Sequence, residues 1–106
     1  MVLVRFPFTD LSGDKRRPVL ILAVARGDDV VAAFVTSRGG AQTDPTEIVL
    51  VSGDPEFATT GLRVASAIRL SRLATLHRGL ITARLGRVGP RTAAAVGAGL
   101  RHLFQL

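Results

Sequence analysis

The sequence predicts a mainly β protein, a small and strongly curved sheet or barrel capped by one C-terminal helix. Three observations predict it. Short apolar and β-branched runs, bounded by Gly, Pro, Asp or Ser, fill residues 2–76. An apolar stripe at helical spacing follows Gly89-Pro90. No segment repeats and no linker divides the chain, so its 106 residues read as one domain, 1–106.

The elements follow in order. Val2–Phe6 reads as the first strand. Pro7 to Pro18 reads as a loop, because Thr9, Asp10, Ser12, Gly13 and Asp14 are turn formers. Pro18–Ala25 is a continuous apolar run, the mark of a buried strand. Gly27-Asp28-Asp29 predicts a tight hairpin, and Val30–Thr36 is the returning strand. Gly39-Gly40 opens a second loop, and Glu47–Val51 is a strand after it. Ser52–Thr60 is a turn-rich connection. Val64–Leu70 and Leu73–Leu76 read as the last strands, parted by Ser71-Arg72. In the helix, Ala93, Val96, Leu100 and Leu103 form the apolar stripe. Gly97 and Gly99 each cost about 1 kcal/mol against Ala, so packing must hold this helix.

Composition narrows the function. Hydrophobic residues make up 47% of the chain, a large share for so small a protein, which points to a homodimer interface. With no cysteine, disulfides and thiolate metal sites are excluded. The longest apolar runs, Val19–Ala25 and Ala93–Leu100, are far too short to span a membrane. The N-terminus has no signal-peptide layout, and a cytoplasmic location is expected. The net charge is +6, and it is unevenly spread. Residues 1–56 hold all eight acids against six cations, whereas residues 57–106 hold eight arginines and no acid. Lys15 is the only lysine. Arginine's planar fork suits phosphate oxygens, so RNA or DNA leads the list of partners.

Three short motifs offer chemistry. In "KRRPVLIL", Pro18 fixes its own φ and keeps Arg17 extended at the start of a buried strand, a backbone suited to a phosphate clamp. In "FVTSRGG", Thr36, Ser37, Arg38 and the Gly39-Gly40 amides offer donors to an oxyanion at a strand end. In "ASAIRLSRL", strand alternation puts Arg69 and Ser71 on one face and Ile68 and Leu70 on the other. His77 and His102 are the only histidines. Without Cys or a nearby acid they make no metal site, though His77 is a candidate general base. Phe6, Phe8 and Phe34 read as core residues rather than as stacking platforms.

These segments together resemble the MazF/PemK family of toxins from toxin–antitoxin pairs. The marks are "VLVRFPFTDLSGDKRRPVLIL", the "VTS" strand end, "AIRLSRLATL" and the final helix, in order over nearly the whole chain. The resemblance implies an SH3-like β-barrel with a C-terminal helix, acting as a homodimer. It implies a metal-independent endoribonuclease with no cofactor, cutting single-stranded RNA and blocked by an acidic antitoxin. The family's key arginine falls on Arg17, its strand-end threonine on Thr36, and the second catalytic arginine of PemK-type members on Arg69. The general base stays open among Asp10, Asp14 and His77. Lys15, Arg16, Ser37, Arg38, Ser71, Arg72 and His77 are the expected RNA contacts around them. Ser71 stands where PemK-type members often carry an acid, which keeps two alternatives in view. One is a homologue that binds RNA or antitoxin without cutting. The other is a toxin of the same fold that poisons a protein such as DNA gyrase.

Overall fold

A computed structural model describes residues 1–6, 15–38 and 43–106. Six strands and one long helix make up the fold: β1 (Val2–Phe6), β2 (Lys15–Val24), β3 (Asp29–Thr36), β4 (Glu47–Leu50), β5 (Ser66–His77), β6 (Ile81–Arg84) and α1 (Pro90–Phe104). Single 3₁₀ turns occupy Ala58–Thr60 and Arg78–Leu80. All pairings are antiparallel, in the order β4-β5-β3-β2-β1-β6. The sheet is not closed. The four-residue strands β4 and β6 form its two edges, so the expected barrel is instead an open, bulged sheet.

The apolar run of β2 is explained by burial on both faces. Leu20, with Ala33 and Val35 of β3, joins a cluster with Ile68, Leu70, Phe57 and Val96 of the helix. Val19, with Val30 and Ala32 of β3, joins a second cluster with Val4, Phe6 and Leu76 on the other face. Gly27 supplies the hairpin between β2 and β3 with φ +68°, a conformation that a side chain would strain.

Three element boundaries differ from the sequence reading. β2 begins at Lys15 rather than Pro18, because Phe6, Arg5 and Val4 pair with Lys15, Arg16 and Arg17. The two expected last strands are one, β5, and Ser71-Arg72 lies in a bulge within it. Ala33 pairs with Leu73, and the next residue, Phe34, pairs with Arg69, so Leu70–Arg72 are the extra residues of β5. The strand β6 carries no strong sequence pattern; its residues are mostly exposed at the edge beside β1.

The helix packs on β4 and β5. Val96 is buried, and Leu100 and Leu103 partly so, as the stripe requires. Ala93 is exposed instead, and Gly99 is buried. A Cβ on Gly99 would sit 2.5 Å from Leu70 Cδ1 and 2.7 Å from the Pro45 carbonyl, whereas one on Gly97 finds nothing closer than 3.7 Å. The first turn of α1 is held by Glu56. Its carboxylate accepts from the Arg91 amide at 3.0 Å, the Thr92 amide at 2.9 Å and the Thr92 hydroxyl at 3.0 Å. Arg91 also reaches Asp54 at 2.7 Å, and Asp54 accepts from the Glu56 amide. The Thr92 amide chiefly holds the Glu56 carboxyl below its ordinary value of 4.5, with the Arg91 amide and charge adding to it and burial opposing.

Two predictions follow from this packing. Gly97→Ala is expected to stabilise the protein by about 0.4–1 kcal/mol. Gly99→Ala is expected to destabilise it by about 1–3 kcal/mol, and urea titration reads both. A carboxyl held low in the folded state stabilises above its unfolded value, and that contribution fades as pH falls through the folded one. Glu56→Gln is therefore expected to lower the melting temperature at pH 7 and to flatten its decline below pH 4.5, the ordinary value, in a thermal melt series.

Candidate nucleic-acid interface

The site begins where the β2–β3 ladder ends. Pro18 has no N–H to donate, and pairing between the strands stops at the next residue, Val19 with Phe34. Carrying that antiparallel register two residues further sets Arg17 opposite Thr36 on the same face. The backbone of Arg17 is meanwhile held by Val4 of β1. Its exposed side chain thus springs from a strand fixed on one side and released on the other.

Two clefts meet at this point, and both are lined by Arg17, Pro18, Val35 and Thr36. The first, about 820 Å³, adds Arg16, Ser37, Arg38, Arg63 and Ser66. The second, about 490 Å³, adds Arg69 and Arg72 above an apolar floor. Among the described residues no carboxylate lines either cleft. Guanidiniums crowded around concave surfaces attract anions, and a chain with phosphates at intervals suits two clefts in series.

The hydrogen bonding of Thr36 sets its polarity. Its Oγ1 accepts from the Arg38 amide at 3.1 Å, which leaves the hydroxyl proton to be donated outward. Arg69 lies opposite Phe34 on β3 and opposite Glu47 on β4. Its Nε is 3.3 Å from Glu47 Oε1 but makes no directed hydrogen bond among the described residues, so the contact is Coulombic. The Asp44 carboxyl lies nearby. The Thr46 hydroxyl, then the Thr46 amide, chiefly hold it below its ordinary value, with His102 and Arg69 adding smaller pulls.

The other sequence candidates divide. Arg16, Ser37 and Arg38 line the first cleft and Arg72 the second. Lys15 and Ser71 are exposed and line neither. Ser71 was expected on the face of Arg69; the bulge cancels that alternation and brings Arg72 to the cleft of Arg69 instead. His77 pairs with Asp29 at the end of β3 away from Thr36. Its Nδ1 accepts from the Gly79 amide at 2.9 Å and its Nε2 lies 3.8 Å from Asp28, and it lines neither cleft. Asp10, Asp14 and the Gly39-Gly40 pair lie outside the described residues. Sequence reasoning missed Arg63 and Glu47. Arg63 belongs to the acid-free half, the one signal that pointed to it; Glu47 gave no signal, because its partner is 22 positions away.

A family model described as PemK-like, MazF-like toxin of type II toxin–antitoxin system matches residues 1–104. No curated protein matches. Among solved structures, the chain is similar to the Mycobacterium tuberculosis toxin MazF-mt6, with TM-score 0.73, 19% identity, and coverage of 100% of this chain and 98% of that one. It is also similar to an endoribonuclease in complex with its cognate antitoxin from a mycobacterial species, with TM-score 0.70, 21% identity, and coverage of 99% and 92%. A third is MazE–MazF from Deinococcus radiodurans, with TM-score 0.71, 23% identity, and coverage of 99% and 91%. At such identities these structures speak for the fold.

The Arg69–Glu47 pair carries a prediction. The guanidinium side chain is 36% exposed and the carboxylate 15%. A half-screened pair of this kind is expected to show a coupling energy of about 0.5–1 kcal/mol in a double-mutant cycle of Arg69→Met and Glu47→Gln, read by urea titration.

Proposed function

The chain belongs to the PemK-like, MazF-like toxin family of type II toxin–antitoxin systems, and from that premise we propose that it is a sequence-specific endoribonuclease. It cleaves single-stranded messenger RNA in the cytoplasm, as a homodimer of one-domain chains. The open sheet with α1 is this chain's form of the family's SH3-like barrel. Its regulator is an acidic antitoxin segment that lies in the arginine-lined first cleft and is displaced by no neutral peptide. The observation that carries the reading is the meeting of Arg17 and Thr36 at the junction of two arginine-lined clefts.

The reaction is attack of a ribose 2′-oxygen on the adjacent phosphorus. The P–O5′ bond breaks, the 2′-hydroxyl loses its proton to a base, and the departing 5′-oxygen gains one. The products carry a 2′,3′-cyclic phosphate and a 5′-hydroxyl. Arg17 holds the non-bridging oxygens as charge builds on them, and Thr36 donates its free proton to the same group. Arg69 assists from the second cleft, and Glu47 keeps it from swinging away. Asp10 takes the role of base. Arg16, Ser37, Arg38 and Arg72 bind the flanking chain, whereas His77, which lines neither cleft, has no part in it. The groups asked to act are guanidinium, hydroxyl and a carboxylate base, so activity is expected to persist in EDTA.

One observation favours a second reading, binding without cleavage: neither cleft is lined by a carboxylate or imidazole among the described residues. One assay separates the two. On a 5′-labelled single-stranded RNA in EDTA, the wild-type chain is expected to cut and Arg17→Ala to cut roughly 10²–10³-fold more slowly. Binding with no product would leave the second reading, and equal cutting by the variant would remove Arg17 from the mechanism.

A further inference from the structure

The second cleft joins three guanidiniums to an aromatic and aliphatic floor. Phe34 lies there between Val19 and Arg69, its pairing partners on β2 and β5. Sequence reasoning assigned Phe34 to the core along with Phe6. Phe6 is indeed buried, at 4% exposure, but Phe34 is only partly so. The two rings pack edge to face, with centroids 5.5 Å apart and planes at 75°, so Phe6 props Phe34 from one side and leaves it aimed at the cleft. Val19, Ala74 and Leu76 complete an apolar floor. Among the described residues, Arg17, Arg69 and Arg72 supply the charge on the wall.

An apolar partner would cover the Arg17 and Arg72 guanidiniums without pairing them. A bare phosphate would leave the aromatic floor unused. A nucleobase satisfies both, since its π-face stacks on a ring or a guanidinium plane while the phosphates on either side of it meet the arginines. We infer that this cleft seats the base of one nucleotide flanking the scissile phosphate, stacked on Phe34; the inference rests on the RNA-cleavage reading above. The polar wall also sets a preference. Guanidinium groups only donate, so they favour base edges that present acceptors. Guanine, whose O6 and N7 share one edge free of donors, and uracil, with its two carbonyl oxygens, fit such a wall better than adenine, whose N7 and N1 both flank an exocyclic amine, or cytosine, whose N3 lies beside one. Arg72 is a specificity residue in this account, and the β5 bulge is what delivers it.

The test uses the full chain and a short single-stranded RNA with a 2′-deoxynucleotide at the cut site, so that binding is read without cleavage. An abasic residue on one side of the cut is expected to weaken binding by wild-type protein roughly 5- to 150-fold. Phe34→Leu is expected to weaken binding of the intact RNA by a similar factor and to lose nothing further on the abasic one. Phe34→Trp places a lone indole in a chain that has no Trp or Tyr, and RNA is expected to quench its emission. Arg72→Ala is expected to narrow the preference for guanine or uracil at that position. Phe34→Leu that is folded by circular dichroism, yet binds with wild-type affinity and base preference, would overturn the inference. So would an indole that RNA leaves unquenched. Wild-type protein that neither binds nor cuts any RNA would instead sink the cleavage reading on which the inference stands.

Discussion

A missing hydrogen-bond donor shapes the working end of this protein. Pro18 has nothing to give to β3, and the ladder between β2 and β3 stops beside it. Were the ladder to continue, Arg17 and Thr36 would be ordinary cross-strand neighbours and the space between them would close. Instead β2 stays pinned to β1 through Lys15, Arg16 and Arg17 while it parts from β3. The chain obtains an open end on a sheet whose central strands carry an apolar cluster on each face. Both clefts begin there.

Burial on two faces explains why function is confined to that end. The alternating side chains of β2 and β3 are consumed by two apolar clusters, one under the helix and one under β1. No polar group fits in their midst without a partner. The helix is fixed at two points: Glu56 holds its first turn, and Gly99 lets it lie close against Leu70 and Pro45. Because Leu70 begins the β5 bulge, the same close approach supports the segment that carries Arg69 and Arg72. Helix packing and cleft geometry are therefore joined through β5.

Charge is arranged in favour of an anionic partner. Among the described residues, four guanidiniums line the first cleft and three the second, with Arg17 in both. Glu47 is set back from the second cleft, close enough to orient Arg69 but absent from the wall. An RNA backbone entering this region replaces repulsion among the cations with attraction to its phosphates, and it releases bound counterions as it does so.

The sequence by itself determined the composition of this protein and much of its local order. It contained the strand runs, the Gly27 hairpin, the Gly89-Pro90 helix start and the acid-free second half, since each depends on neighbours within a few residues. It also brought Arg17, Thr36 and Arg69 to notice. Tertiary structure alone decided which residues share a surface. Alternation along β5 put Ser71 beside Arg69, but a bulge set by pairing with β3 removed it and substituted Arg72. Phe34 read as core, and it packs against the second cluster while also lining the second cleft, a matter of several strands meeting. Periodicity records how one segment repeats; register, bulges and closure depend on the contact between segments, and only the folded chain fixes them.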